Sequence, residues 1–376
     1  MRSVARYLKL TSLLATAIFV AGAYAAPSAS PSWAPSTASA SSASPASIVE
    51  RFAGKLSALE TPLFADAIDG HLHDFSLLDA ALVASGEDRE EMLRRYEDRL
   101  MALLDDLRTS IDRRQSPERQ AERVFDFLHR QVLRGGYRLE CTDIRLALDG
   151  GRFNCVSATV LFNCLADGVG LHCCGLEMPG HAMNRVLLPG GKMDLETTCP
   201  RWFQLLHDPI KQTEAVSKTL GTTVKPDYSQ LREVTSVQLT AMIYYNRGVD
   251  LLAEKRFAAA AAVNAKALRL DPQNATARGN FLATLNNWSI DLSAAHDYTA
   301  AVELLHTGMA FDCRYPAFQQ NFAYLHHEWS ESLCAAGRYA EAAELLRAAT
   351  AEMPAREDLK KSLRDVYRRW PQSKSQ

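Results

Sequence analysis

Apolar residues in EDREEMLRRYEDRLMALLDDLRTSI (residues 87–111) fall at Met92, Tyr96, Leu100, Leu103, Leu104 and Leu107, spaced by threes and fours. That spacing predicts a helix with one buried stripe. The pattern is helical from Ser47 to about Arg134. A second helix starts in SPERQAERVFDFLHRQVL, with Ser116 as N-cap, Pro117 at the first helical position and a carboxylate in the first turn; Gly135-Gly136 ends it.

The rhythm changes between residues 151 and 203. In GRFNCVSATVLFNCLADGVG, Val156, Val160, Cys164 and Leu165 repeat at helical spacing until Gly168 and Gly170 stop the run. Asn154 is a good N-cap, so Cys155 takes the first helical position. HAMNRVLL then alternates, with His181, Met183, Arg185 and Leu187 on one face. Pro189-Gly190 supplies a type II turn, and KMDLETT returns with Asp194, Glu196 and Thr198 on a common face. A helix followed by a hairpin is therefore expected here.

The last third is periodic. KRFAAAAAVNAKALRLDP, HDYTAAVELLHTGMAFDC and GRYAEAAELLRAATAEMP carry Phe257, Tyr298 and Tyr339 at a constant step of 41 residues, and Ala260, Ala301 and Ala342 keep that step. A period of this size marks stacked helix pairs.

The N-terminus changes the picture of compartment. Arg2, Arg6 and Lys9 precede the apolar stretch LTSLLATAIFVAGAYA, which ends in small residues at Ala23-Tyr24-Ala25. This is the layout of a secretory signal peptide over residues 1–25, and a periplasmic or secreted protein is expected. An uncleaved membrane anchor is the alternative. Residues 26–46, nearly all Pro, Ser, Ala and Thr, read as a disordered linker. A helical lead-in with an α+β domain is expected over 47–235, and an all-α array over 236–370.

With 376 residues and a formal net charge of −2, the chain offers no basic surface for nucleic acid or anionic lipid. Its eight cysteines are even in number, but a chain of this size folds without staples. Cys313 and Cys334 flank a helix of about 20 residues, roughly 30 Å, too far apart for a disulfide. No CxxC pair or histidine-rich cluster with metal spacing appears, so neither metal nor other cofactor is expected. His71 and His73 in DGHLHDF read as loop histidines.

The candidate chemistry sits in the middle segment. At a helix start, free backbone N–H groups and the helix dipole favour a thiolate on Cys155 and could hold a developing oxyanion. His181 on a strand supplies a general base, and a carboxylate on the adjacent strand orients it. If Leu188 pairs with Gly191, the residue level with His181 is Thr198. Glu196 is then offset by about 7 Å and Asp194 by about 13 Å. Glu196 is the preferred acid, and Asp194 stays open should a bulge shift the register.

This set resembles the transglutaminase-like superfamily, whose fold shares the papain-type arrangement. That family reads cysteine at a helix start, then His-Ala-Trp-Asn-Glu-Val, a turn, and a strand ending Asp-Pro-Thr. The matching residues are Cys155, the run from His181 to Val186, and Glu196-Thr197-Thr198, with Met183 for the tryptophan and Glu196 for the aspartate. Tyr244, Gly248, Leu251, Ala260, Ala267 and Pro272 likewise fall where a tetratricopeptide (TPR) repeat places its packing residues. The whole resembles a bacterial branch joining a transglutaminase-like domain to C-terminal TPR repeats. The resemblance implies an α+β papain-like domain followed by an all-α TPR-like solenoid. It implies an exported cysteine-dependent enzyme acting on amide bonds of a protein or peptide substrate, by hydrolysis or acyl transfer, with the repeats recruiting a protein partner. The alternative is a non-catalytic scaffold whose TPR groove binds such a partner.

Overall fold

The computed structural model describes residues 44–220 and 231–371, so the expected signal peptide and most of the linker lie outside the described residues. The linker's last two expected residues belong instead to the first helix, α1 (Pro45–Ala53). Ser44 caps it by accepting from the Ser47 N–H, and Pro45 suits the first position, where no N–H partner exists.

The described chain is mostly helical with a small sheet. Helices α2 (Glu60–Asp66), α3 (Leu77–Ala84), α4 (Glu90–Ser110), α5 (Pro117–Phe127) and α6 (Ile144–Gly150) lead to α7 (Cys155–Asp167); α8 (Pro209–Leu220) follows the hairpin. In α4 the buried stripe is Leu93, Tyr96, Leu104 and Leu107, turned slightly from the expected one, with Met92, Leu100 and Leu103 half-buried. A five-residue π-helical turn, Leu128–Val132, extends α5.

Strands β1 (Gly136–Tyr137) and β2 (Arg152–Phe153) form a short parallel pair. Strands β3 (Cys173–Met178), β4 (His181–Leu188), β5 (Gly191–Leu195) and β6 (Arg232–Val234) form an antiparallel sheet in the order β5-β4-β3-β6. Leu188 pairs with Gly191, the expected register, but Gly190 lacks the positive φ of the expected type II turn. Helix α7 lies against β3 and β4 on one side and α3, α5 and α9 (Ser236–Ala253) on others. Every residue from Cys155 to Asn163 is therefore buried. A helix covered all round carries apolar residues all round, which is why its stripe is indistinct in sequence.

Three antiparallel helix pairs and a closing helix follow: α9 with α10 (Phe257–Leu270), α11 (Ala275–Ala294) with α12 (Tyr298–Phe311), α13 (Pro316–Ala335) with α14 (Tyr339–Glu352), then α15 (Glu357–Arg369). Phe257, Tyr298 and Tyr339 each open the second helix of a pair, and Ala260, Ala301 and Ala342 are fully buried beneath them. The turn before each keeps the 41-residue step as well. Lys255, His296 and Gly337 all have left-handed backbone, with φ of 58°, 64° and 76°.

The expected boundary at 235/236 does not divide the core. One apolar cluster runs from Ile48 to Val366. Helix α1 packs on α10 and α12 and touches α11: Phe52 meets Phe281 of α11 edge-on at 5.3 Å, Arg51 donates to Thr307 of α12 at 3.2 Å, and Glu50 pairs with Arg269 of α10 at 3.3 Å. Buried Glu60 accepts from Lys266 at 2.7 Å and from the Tyr244 hydroxyl at 3.0 Å. Arg232 bridges Glu177 of β3 to Asp271 after α10, and Asn274 donates to both carboxylates. Apolar burial alone fixes no orientation, but charges that are costly to leave unpaired do. The sheet and the first helix pair therefore meet in one defined way.

Candidate active site

Helix α7 begins at Cys155. The Asn154 side chain accepts from the Val156 and Ser157 N–H groups at 3.0 and 3.1 Å, and the Ser157 hydroxyl accepts from the Asn154 N–H at 2.9 Å. This reciprocal cap is locked from outside, because the Asn154 amide donates to Leu139 O and Thr142 Oγ1, and Ser157 Oγ donates to Cys141 O. The cysteine is held at the end of a rigid, satisfied helix start, only 7% exposed.

His181 opens β4 directly after Gly180, whose φ of 75° lets the chain turn tightly between β3 and β4. Its Nε2 hydrogen-bonds Glu196 Oε2 at 2.6 Å, with both side chains buried. Glu196 Oε1 accepts from both the N–H and the hydroxyl of Thr198, at 2.9 and 2.6 Å. Both oxygens of the carboxylate are thus engaged. Burial alone would favour its neutral form, but the His181 charge and these hydrogen bonds hold its pKa below the usual carboxylate range.

The other ring nitrogen, His181 Nδ1, is buried without a well-formed hydrogen bond. With Nε2 taken by Glu196, that edge is the one left for the Cys155 side chain, which interacts with the ring. Burial disfavours the imidazolium. The Glu196 charge outweighs it, together with the Cys155 side chain, and pushes the His181 pKa up to about 10.

Asp194 has a different place. Arg185 faces it directly across β4 and β5 and binds both its oxygens, while Arg185 and Lys192 both reach Glu233. Helix α7 is on the other side of the sheet, where the Asn184 amide donates to Thr159 O and Asn163 Oδ1. Asp194 and Glu196 thus take different partners, Arg185 and His181. Strand β5 ends at Leu195, and strand alternation governs nothing beyond it.

Two side chains that the sequence reading did not single out belong here. Tyr137 stands on β1 beside Phe153, two residues before Cys155, and its hydroxyl lies close enough to the Cys155 side chain to interact with it. Burial first, then the charges of Cys155 and Glu196, raise its pKa, so it remains a donor. The parallel β1–β2 pair was the missing signal: two-residue strands leave no periodicity to read. The second is His129, in the π-helical turn, whose ring packs on Phe125 and against Phe153, the residue two before Cys155.

His73 bonds Asp69 at 3.0 Å in an exposed loop, with His71 beside it. No group of three metal-ligating side chains occurs among the described residues. An open cleft of about 420 Å³ is lined by Glu87, Arg145 and Arg152 among others, but Cys155 and His181 do not line it. There Arg145 is already committed to Glu87 and Asp143. No helix among the described residues is long and apolar enough to cross a membrane. No family model, curated protein or solved structure matches the chain.

Proposed function

We propose that this chain is an exported thiol enzyme acting on amide bonds of a protein or peptide, by hydrolysis or acyl transfer. In this reading residues up to 235 form a transglutaminase-like domain of papain type and the following helix pairs a TPR-like solenoid. The observation that carries it is the buried Cys155–His181–Glu196 set: a cysteine at a capped helix start, an imidazole facing it, and a carboxylate on the far ring nitrogen at 2.6 Å.

The chemistry follows from those positions. Cys155 sulfur, its proton given to His181, attacks the substrate carbonyl carbon. Glu196 stabilises the resulting imidazolium and fixes its ring. Charge developing on the carbonyl oxygen is met by the Cys155 N–H, since the Asn154 side chain already takes those of Val156 and Ser157, and by the Tyr137 hydroxyl. His181 then gives its proton to the departing amine, leaving a thioester on Cys155. Water or a second amine attacks that thioester, with His181 taking the incoming proton, and the acyl group leaves the sulfur. The fused helix pairs would present the substrate or a protein partner beside this site.

Limited treatment with iodoacetamide near neutral pH, with each cysteine followed by mass spectrometry, tests the reading. Cys155 should be alkylated at least about tenfold faster than Cys313, which is exposed, despite its own burial. Labelling in order of exposure alone would leave the chain as a non-catalytic scaffold for a protein partner.

A further inference from the structure

We infer that Asn184 is a positioning residue of the site: its buried amide pins the helix that carries Cys155 to the strands that carry His181 and lead into Glu196. The inference rests on the thiol-enzyme reading above and extends it to a group that touches none of the reacting atoms.

The three reacting groups come from two separate supports. His181 opens β4, and Glu196 follows the last residue of β5. The β4–β5 ladder holds these strands in register, and the two side chains also bind one another at 2.6 Å. Cys155 belongs to neither strand. It starts α7, whose cap is locked to Leu139, Cys141 and Thr142, none of them in the four-stranded sheet. The approach of its sulfur to His181 therefore depends on how α7 lies along β4. Ala182, Val186 and Leu195 of the strands share one apolar core with α7. Such contact is non-directional and resists sliding only weakly.

Asn184 supplies the direction. On β4 it stands level with Gly175 of β3 and with Leu195 of β5, the residue immediately before Glu196. His181 lies earlier on the same strand. The Asn184 side chain is fully buried, and its Nδ2 donates to Thr159 O at 3.0 Å and to Asn163 Oδ1 at 2.7 Å. Thr159 and Asn163 follow Cys155 by one and two turns of α7, on the stripe that Cys155 begins. One amide thus reaches the nucleophile's helix through two bonds of fixed direction, while its own backbone is laddered to the strands of the base and the acid.

Packing alone does not call for an amide here. Leucine has nearly the same shape and no polar atom to satisfy, and polar groups taken out of water are costly unless bonded. Asn163, at the other end of the link, is itself buried. What two amides add to a helix–sheet contact is a single register. The chemistry needs that register, because a displacement of about 1 Å between reacting groups costs on the order of a hundredfold in rate.

The test follows Cys155 alkylation by iodoacetamide against pH in the full chain, in Asn184→Leu, and in the paired variant Asn163→Leu with Asn184→Leu. The single variant leaves Asn163 Oδ1 without its donor. The paired variant sets leucine against leucine and leaves Thr159 O in the helix ladder, so it regains stability lost in the single one. Expected in both is alkylation about tenfold slower near neutral pH, with its rise displaced to higher pH. A displaced profile in either folded variant supports the positioning role. Profiles that overlay the unaltered protein overturn it. So does a paired variant that regains the original profile along with stability, which would mark a packing role only. Should Asn184→Leu fail to fold, the paired variant decides alone, and failure of both assigns the amide to stability and removes the inference. Failure of the underlying reading looks different, because Cys155 of the unaltered protein would then react like an ordinary buried thiol.

Discussion

Arg185 grips Asp194 across β4 and β5 through two hydrogen bonds of 2.6 and 2.7 Å, on the face of the sheet turned away from helix α7. Asp194 is thereby occupied, and Glu196 alone meets His181. Glu196→Gln should slow Cys155 alkylation near neutral pH by about tenfold or more, since a carboxamide does not stabilise an imidazolium. Asp194→Asn should change it by less than about threefold. Rates of iodoacetamide labelling in the two variants decide between the acids, and an effect confined to Asp194→Asn would reverse the assignment.

The same pair sets a pH dependence of stability. The pKa of His181 is raised from 6.5 to about 10, so its contribution is fully present below about pH 6.5 and lost as pH rises through about 10. Glu196 is lowered from 4.5, so its contribution is present above about pH 4.5 and lost as pH falls through its folded value. Unfolding free energies from urea titrations of the unaltered chain and Glu196→Gln should differ most between about pH 5 and 6.5, by an amount on the order of a few kcal/mol. They should converge toward pH 10. A gap that stays constant across that range would mean the pair is not charged in the folded state.

The Tyr137 hydroxyl lies beside the Cys155 side chain, placed to donate to a thiolate there. Hydrogen bonds to charged groups contribute about 1.5–3 kcal/mol. Tyr137→Phe should accordingly slow Cys155 alkylation by about tenfold while leaving the melting temperature nearly unchanged. Faster alkylation would show that the hydroxyl shields the thiol instead of activating it.

Gly308 in α12 lies under the ring of Phe318, and a Cβ there would stand 2.2–2.6 Å from three ring atoms. Phe318 is fully buried and has no room to retreat. Gly308→Ala should cost about 1–3 kcal/mol despite its better helix propensity. Chemical denaturation measures it, and a stabilised variant would contradict the packing described.

A fragment limited to residues 236–371 should fail to fold as an independent array. Removing the preceding chain exposes Leu239, Tyr244 and Tyr245 of α9, now buried, and leaves Lys266 and Asp271 without Glu60 and Arg232. Circular dichroism with thermal melting of that fragment is the check, and a sharp transition matching the full chain would refute the fused core.

Much of this architecture was legible in sequence where a period runs long enough. The 41-residue step located the start of α10, α12 and α14, and the Pro189-Gly190 turn gave the β4–β5 register residue for residue. Cys155, His181 and Glu196 stood out because a cap, an alternating strand and a turn each leave a local mark. Strand β3 was not separable from the apolar run around it, and β6 and β1 are too short to alternate. Tyr137 and His129 approach the site through pairings distant in sequence, for which no local spacing exists. The fused core was hidden for a related reason. Glu60 and Arg232 are ordinary surface residue types, and only the fold reveals that each is paired with a residue from the helical array.

The docking of α1 has a consequence for the order of events during synthesis. Arg51 finds Thr307 across 256 residues of chain, and Glu60 finds Lys266 across 206. At about 5–20 residues per second, α1, the first of the described helices to emerge, waits tens of seconds for the surface that covers Ile48 and Phe52. Until then it is an apolar segment without a partner, open to chaperones or, should one act on this chain, to a translocation machine that threads unfolded polypeptide. The helix that opens the described chain is thus among the last parts of it to close.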